Sequence, residues 1–131
     1  MTVVGDSTPL IHLAKVGKLE ILFALYKEVV ITPRVFKEVV EEGILLEKED
    51  ARVVERYIGR GIRIASAKSS SDYLLQKYQI HRGEADSIQL AKEIRAQLLL
   101  INESQGRRAA KSEGLKVKGT IGVLFDALKA G

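Results

Sequence analysis

Acidic side chains are the residues of this sequence whose types and spacing indicate chemistry. They stand at or just beyond the ends of predicted strands, or in the helices that follow: Asp6, Glu38, Glu84, Asp86 and the corner formed by Asn102 and Glu103. The carboxyl ends of parallel strands lie along one edge of a sheet, so we expect these distant acids to meet there. Two carboxylates about 4 Å apart repel each other by roughly 4 kcal/mol at an effective dielectric constant of about 20. A divalent cation would neutralise such a cluster at neutral pH.

The available ligand types restrict the kind of metal. The 131-residue sequence has no Cys and only two His, His12 and His81. A zinc-thiolate site is therefore excluded, and a metal site would be built from carboxylate and amide oxygens. Such hard ligands suit Mg²⁺ or Mn²⁺.

Each acid also has a purely structural interpretation. Glu84 and Asp86 lie in the first turn of a predicted helix, where the helix dipole stabilises a carboxylate by roughly 0.3 to 1 kcal/mol. Glu38 is one of several glutamates near a solvated helix face. Asp6 is harder to explain in this way, because a carboxylate directly after the buried strand residues Val3 and Val4 needs a partner.

Basic residues follow the last of these acidic positions. Arg107, Arg108 and Lys111 share one predicted helix. They fit an exposed, solvated helix face, and they also stand where a phosphate backbone near the acids would need countercharge. The net charge of +4 is compatible with a polyanionic partner but is too small to indicate one by itself.

Short apolar segments and helical periodicity organise these residues. The segments that predict strands are 2–5, 28–31, 62–64, 98–101 and 115–118. The patterns that predict helices are a consecutive pair separated near Gly17, followed by 33–43, 47–58, 73–78, 82–94, 104–114 and 120–129. Thr8, Thr32 and Thr120 are the predicted helix caps, the first two with proline at the first helical position. The alternation of strand and helix predicts an α/β fold, a three-layer α/β/α sandwich with a central parallel sheet.

Composition and length agree with an ordinary globular protein. Hydrophobic residues make up 46% of the sequence and charged residues 29%. The length predicts one domain over residues 1–131. The longest apolar runs, such as 98–101, are far shorter than the roughly 18 residues of a membrane span. Together with the absence of Cys, this predicts a cytoplasmic protein without membrane contact.

The sequence resembles a PIN domain, the fold of the VapC-type toxin ribonucleases, and more narrowly the DUF3368 family. The matching segments occur in the family's order and span nearly the whole chain: DSTPLIHLAKVGKLEIL (6–22), VVITPRVFKEVV (29–40), GEADSIQLAKE (83–93), LLLINESQGRRAAKSEGL (98–115) and GTIGVLFDALKAG (119–131). Each segment alone is a weak signal, but the ordered set is fairly specific.

The resemblance implies a site and a reaction. PIN domains gather acids at one edge of a parallel sheet, bind one or two Mg²⁺ or Mn²⁺ ions and activate water to attack an RNA phosphodiester. Carried onto this sequence, it implies Asp6 as the first metal ligand, Glu38 as the second acid and Asp86 as the third. Glu84 would lie close by. A hydroxyl of Ser7 or Thr8 would support the site.

One position departs from the family pattern. The group usually has an aspartate after the buried fourth strand, and this sequence has Asn102, followed by Glu103. Asparagine can coordinate a hard cation through its carbonyl but contributes no charge, so we expect weaker metal binding or a single ion. Glu103 could substitute only if the strand has already ended, because neighbouring strand residues point to opposite faces.

Three functions follow from these observations. The leading hypothesis is a metal-dependent ribonuclease, the toxin of a toxin-antitoxin pair, with RNA and a small antitoxin as partners. The alternative, motivated by Asn102, is a catalytically weak or inactive PIN-fold module that binds nucleic acid or protein. A receiver-like phosphoacceptor domain needs an aspartate at the end of a middle strand. It is disfavoured, because Asn102 follows one candidate strand and no acid directly follows Ile64 at the end of another. The helices over 19–25 and 121–128 could form a homodimer surface, although core packing explains them equally well.

Overall fold

Five short parallel strands form the centre of the molecule. A computed structural model describes all residues, 1–131. The strands are β1 (Thr2–Gly5), β2 (Glu28–Ile31), β3 (Ile62–Ile64), β4 (Leu98–Leu100) and β5 (Val117–Lys118). They pair in parallel in the order β3-β2-β1-β4-β5. In the middle of the sheet, Val4 stands opposite Val30 on one side and Leu99 on the other.

Helical segments connect the strands. They are α1 (Ser7–Lys15), α2 (Ile21–Leu25), α3 (Pro33–Phe36), α4 (Glu42–Leu45), α5 (Glu49–Tyr57), α6 (Asp72–Lys77), α7 (Arg82–Glu93), α8 (Ser104–Ser112) and α9 (Thr120–Ala130). A π-helical segment, Lys37–Glu41, joins α3 to α4. Single π-helical turns inside helices are frequent at functional sites.

The alternation of side chains along the strands creates two separate cores. Val3 and Leu100 point into one core, which also contains residues of α1, α2, α3, the π-helical segment, α5 and α9. Val4 and Leu99 point into the other, which contains residues of α6, α7 and α8. Strands buried on both faces are expected to be apolar at consecutive positions, as they are here. The predicted three-layer α/β/α sandwich with a parallel sheet is confirmed.

Two of the three predicted helix caps are wrong. The cap at Thr32 is confirmed, because its Oγ1 accepts a hydrogen bond from Val35 N at 3.1 Å. At α1 the N-cap is Asp6 rather than Thr8, since β1 ends at Gly5 and the helix begins immediately afterwards. At α9 the N-cap is Gly119, which has no side chain to act as a cap. A residue just after β4 supplies that hydrogen bond instead, as described below.

The order of the strands singles out the carboxyl end of β1. The chain builds β2 and β3 on one side of β1, then crosses to the other side to form β4 and β5. Open α/β sheets bind ligands at such a switch in strand order, outside the carboxyl ends of the strands. Asp6 lies there, and its N–H donates to the carbonyl of Leu100 at 2.9 Å. None of the helices is both long and apolar enough to pass through a membrane.

The contact of α4 with α5 depends on a glycine. A Cβ at Gly43 would lie 2.5 Å from Ala51 Cβ, which cannot rotate away. We expect Gly43→Ala to lower the free energy of unfolding by about 1 to 3 kcal/mol through overpacking, despite the better helix propensity of alanine. Urea denaturation would measure the loss. The double variant Gly43→Ala/Ala51→Gly should recover part of it, and no recovery would contradict the proposed clash.

Candidate functional site

Asp6 is a buried carboxylate at the switch in strand order. Its side chain accepts a hydrogen bond from Ser87 Oγ at 3.0 Å, and the residue is only 7% exposed. Burial raises the pKa of Asp6 to about 6, and repulsion from Glu84 and Glu38 adds to the increase. Hydrogen bonds from Ser87 and from the backbone of Ser7 lower it only partly. The side chain therefore lies in an acidic environment that lacks a neutralising charge.

Glu84 is the most deeply buried acid of the site. It is the third residue of α7 and is 1% exposed. Its Oε1 accepts a hydrogen bond from His81 N at 3.2 Å and lies 3.3 Å from His81 Nε2. Its Oε2 is buried without any hydrogen-bond partner. A buried carboxylate oxygen without a partner is costly, so this atom indicates that a cation or a donor belongs beside it.

A glycine makes room for this unpaired oxygen. A Cβ at Gly106 of α8 would lie 2.7 Å from Glu84 Oε2 and 2.7 Å from Ile101 Cδ1. Any side chain at this position would therefore displace the carboxylate or the core residue behind it. The absence of a side chain lets α8 approach α7 closely at the buried end of Glu84.

Glu38 approaches the two buried acids from the other side. It lies in the π-helical segment and is exposed, and its Oε2 accepts a hydrogen bond from Ser7 Oγ at 2.8 Å. A Cβ at Gly83 would lie 3.2 Å from Glu38 Oε1. The lack of a side chain at Gly83 therefore allows the π-helical segment and the start of α7 to meet.

These three acids form a set suited to a hard divalent cation. Their oxygens, the unpaired Glu84 Oε2 and the raised pKa of Asp6 all fit such an ion. No group of three or more His, Asp or Glu side chains converges closely enough to hold an ion by itself. Mg²⁺ commonly keeps several water ligands and uses only one or two carboxylates, so an ion at this site would be bound by some of these acids directly and by others through water.

Asp86 is engaged by residues outside this set. Its Oδ2 is 3.2 Å from Arg34 Nε, and its Oδ1 accepts a hydrogen bond from Ser71 Oγ at 2.6 Å. Residues two apart on a helix point to different sides, so Glu84 and Asp86 are turned in different directions from α7. Of these two acids, Glu84 is the one whose charge raises the pKa of Asp6.

Asn102 connects elements instead of pointing an unpaired oxygen at the acids. Its Oδ1 accepts a hydrogen bond from Thr120 N at 2.8 Å, which provides the cap that Gly119 lacks. Its Nδ2 donates to Thr120 Oγ1 at 2.9 Å and lies 3.2 Å from His12 Nδ1. The side chain therefore fixes the start of α9 against the end of β4.

Most of the remaining predicted site residues are exposed. Glu103 is exposed at the N-cap of α8 and lines a surface pocket together with Glu84. Thr8 is exposed. Arg107 is half-buried against Gly119, where a Cβ would lie 2.7 Å from its Nη1. The other two basic residues of α8, Arg108 and Lys111, are exposed.

Sequence reasoning missed three contributors: Ser87, His81 and Gly106. Ser87 stands three residues after Glu84, so helical periodicity alone places both on one face of α7 and would have identified it. The roles of His81 and Gly106 depend on contacts with the carboxylate of Glu84. No local pattern in the sequence signals those contacts.

Solved structures share this arrangement of strands and helices. A PilT N-terminus domain protein, SSO1118, from Sulfolobus solfataricus P2 aligns over 98% of this chain and 94% of its own, with 22% identity and a TM-score of 0.64. PAE2754 from Pyrobaculum aerophilum aligns over 98% and 99%, with 12% identity and a TM-score of 0.66. The PIN domain of human SMG5 aligns over 100% of both chains, with 20% identity and a TM-score of 0.51. The fold is therefore that of a PIN domain.

The chain belongs to the DUF3368 family of PIN domains, because that family's model matches residues 2–131. The resemblance to PIN domains and to the DUF3368 family is thereby confirmed. PIN domains have a nuclease-type fold, and they generally use divalent metal ions and bind nucleic acids, although some are inactive. No protein with a curated description matches the sequence.

Replacement of Asp6 by a neutral isostere tests the electrostatics of the site. A carboxyl pKa raised from 3.8 to about 6 means that the folded state loses stability as the pH rises through this range. We expect Asp6→Asn to stabilise the protein in EDTA by about 1 kcal/mol near pH 4.5 and by about 3 kcal/mol near pH 8.

Thermal unfolding at both pH values measures this difference. Ser87→Ala is the matched control, because it removes the hydrogen bond to Asp6 but leaves the buried charge. It should destabilise the protein at the higher pH. Equal stabilisation by Asp6→Asn at both pH values would contradict the raised pKa.

Proposed function

We propose that this PIN domain is a metal-dependent ribonuclease whose metal is held by Asp6, Glu38 and Glu84. The observation that carries the proposal is the buried, unpartnered Oε2 of Glu84 beside Asp6. In a family that generally uses divalent ions, the simplest partner for this oxygen is Mg²⁺ or Mn²⁺.

The side chains of the site have separate roles in this proposal. Ser87 orients the carboxylate of Asp6, and Ser7 orients that of Glu38. The backbone N–H of His81 fixes one oxygen of Glu84, which leaves the other for the ion. A bound divalent ion lowers the pKa of a coordinated water and stabilises negative charge on a phosphodiester under attack. The burial of Asp6 and Glu84 strengthens their attraction for the ion by excluding water.

The choice of Glu84 over Asp86 as the third acid can be tested by cleavage of a labelled single-stranded RNA with Mg²⁺ or Mn²⁺. We expect Asp6→Asn and Glu84→Gln to reduce the rate by about 100-fold or more, because loss of a ligand removes several kcal/mol of charge stabilisation. Asp86→Asn should cost less than about tenfold, because its carboxylate pairs with Arg34 and Ser71 instead.

A binding measurement accompanies the rates. Mg²⁺ should raise the melting temperature of the wild type and of Asp86→Asn, but not that of Asp6→Asn or Glu84→Gln. The opposite ranking of Glu84 and Asp86 would overturn the assignment of the third acid. A wild-type protein with neither cleavage nor a metal-dependent melting temperature would overturn the metal-dependent nuclease.

A catalytically weak or inactive PIN-fold binding module is the second candidate. It is favoured by the absence of three converging metal ligands and by the use of Asn102 as a link to α9. RNA binding without metal affinity in calorimetry would support it over the nuclease.

The role of Asn102 can be tested by restoring the acid that is usual in the family. Both polar atoms of Asn102 are engaged by Thr120, so we expect Asn102→Asp to change Mg²⁺ affinity in calorimetry by less than about threefold. The variant should lose about 1 kcal/mol of stability with the donated hydrogen bond. An increase in affinity of about tenfold or more would show that this position belongs to the metal site.

The proposal extends to a toxin that is inhibited by a small antitoxin protein, on the basis of the family resemblance alone. Homodimerisation is supported by one further observation. Ile121, Phe125 and Leu128 lie on a single face of α9 and are 67%, 60% and 76% exposed. Contiguous exposed apolar side chains of this kind are typical of protein interfaces.

A further inference from the structure

We propose that the groove between α3, residues 66–71 and the start of α7 binds the phosphate backbone of single-stranded RNA beside the acids. Its phosphate ligands would be Arg34, Lys37 and Arg82. The proposal deepens the ribonuclease function and rests on it for the identity of the bound strand.

The lining of the groove suits a polyanion. The groove has a volume of about 710 Å³, and only one of its 11 lining residues is hydrophobic. Three are basic, Asp86 is the only acid, and four are serines of the segment 66–71. Cationic side chains and hydroxyls are the groups that contact phosphate oxygens in nucleic-acid complexes. The lining has no aromatic side chain on which a base would stack, so the backbone is the part of RNA that it fits.

A connected polar network orders the basic side chains. Asp86 binds Arg34 on one side and Ser71 on the other. Arg82 Nη1 donates to Ser71 Oγ at 3.1 Å and to Asp72 Oδ1 at 2.6 Å. Arg34 uses Nε for its pair with Asp86, so its terminal nitrogens remain for a ligand. The network fixes the geometry of the groove before any ligand binds, which lowers the entropic cost of binding.

Lys37 contributes an unpaired charge. None of the ion pairs of the structure involves it. It is exposed and lines the groove. An unpaired lysine beside ordered arginines gives the groove a net positive charge that attracts a phosphate backbone.

Arg34 of the groove and Glu38 of the acidic site both lie close to Gly83. A Cβ there would lie 3.2 Å from Glu38 Oε1 and 3.7 Å from Arg34 Cδ. Lys37 precedes Glu38 directly in the π-helical segment. An RNA strand held by the basic residues would therefore lead directly to Asp6, Glu38 and Glu84.

A second basic surface on α8 is less suited to bind an RNA strand. It consists of Arg107, Arg108 and Lys111. Arg107 is partly occupied by its contact with Gly119, and the other two residues are exposed. No network of hydrogen bonds orders this group in the way that Asp86 and Ser71 order the groove. The groove is therefore better suited than α8 to hold an RNA phosphate backbone in a defined position.

Fluorescence anisotropy with a labelled oligouridine in EDTA, at several salt concentrations, tests the proposal. We expect Arg34→Ala/Lys37→Ala to weaken binding about tenfold or more at low salt. The slope of log affinity against log salt should become shallower by about 1.4, for two lost phosphate contacts on a single strand. Lys37→Glu alone should weaken binding by a similar factor while it leaves the pair of Arg34 with Asp86 intact.

The matched control, Arg108→Ala/Lys111→Ala, removes the same charge from α8 and should change affinity by less than about twofold. Equal losses of RNA affinity in both double variants, or no loss of affinity with Lys37→Glu, would overturn the proposal that the groove binds RNA. Wild-type protein that does not bind RNA would overturn it as well. Loss of binding with Lys37→Glu in a protein without metal-dependent cleavage would support the groove and contradict the nuclease. If the wild type cleaves RNA and Lys37→Glu still binds RNA with unchanged affinity, the nuclease is supported and the groove is contradicted.

Discussion

The burial of two carboxylates at the carboxyl end of β1 is the constraint on which the arrangement of this site depends. Asp6 and Glu84 lie where the strand order reverses, at 7% and 1% exposure. Their mutual repulsion and their loss of hydration oppose folding, and Ser87, two backbone N–H groups and the nearby His81 ring offset this in part. Proteins retain such an unfavourable arrangement where a ligand or a reaction requires it. The acids are therefore the strongest structural indication of function in this chain.

Small residues allow the elements around these acids to approach one another. Gly83 lets the π-helical segment meet the start of α7, and Gly106 lets α8 pass over the unpaired oxygen of Glu84. Neither glycine is required by a left-handed backbone, since neither has a positive φ. The reason for a glycine at both positions is space for a carboxylate. The shape of the site thus depends on the lack of a side chain at Gly83 and Gly106 as well as on the acids themselves.

Polar residues close to the acids hold the surrounding elements together. Asp86 joins α3 and the serine-rich loop to α7, and Asn102 joins the end of β4 to α9 and approaches α1. Both residues have the chemistry of metal ligands, and both have their polar atoms engaged by neighbours. Asp86 also lines the basic groove, so its links to Arg34 and Ser71 help to position the side chains there.

The strands, the three layers and the placement of Asp6 follow from the sequence alone, because alternation, helical periodicity and caps such as Thr32 are local properties of the chain. The family was also recognisable, because its ordered segments span nearly all of the sequence. The choice between Glu84 and Asp86 was partly accessible, since residues two apart on a helix face different sides, but the sequence does not say which of them faces β1. Only the tertiary structure shows that the charge of Glu84 acts on Asp6, that Asn102 replaces the cap at α9 and that His81 and Gly106 adjoin the carboxylate of Glu84. Each depends on contacts between residues that are distant in the sequence or on the direction in which a helix face is turned, and local patterns do not encode either.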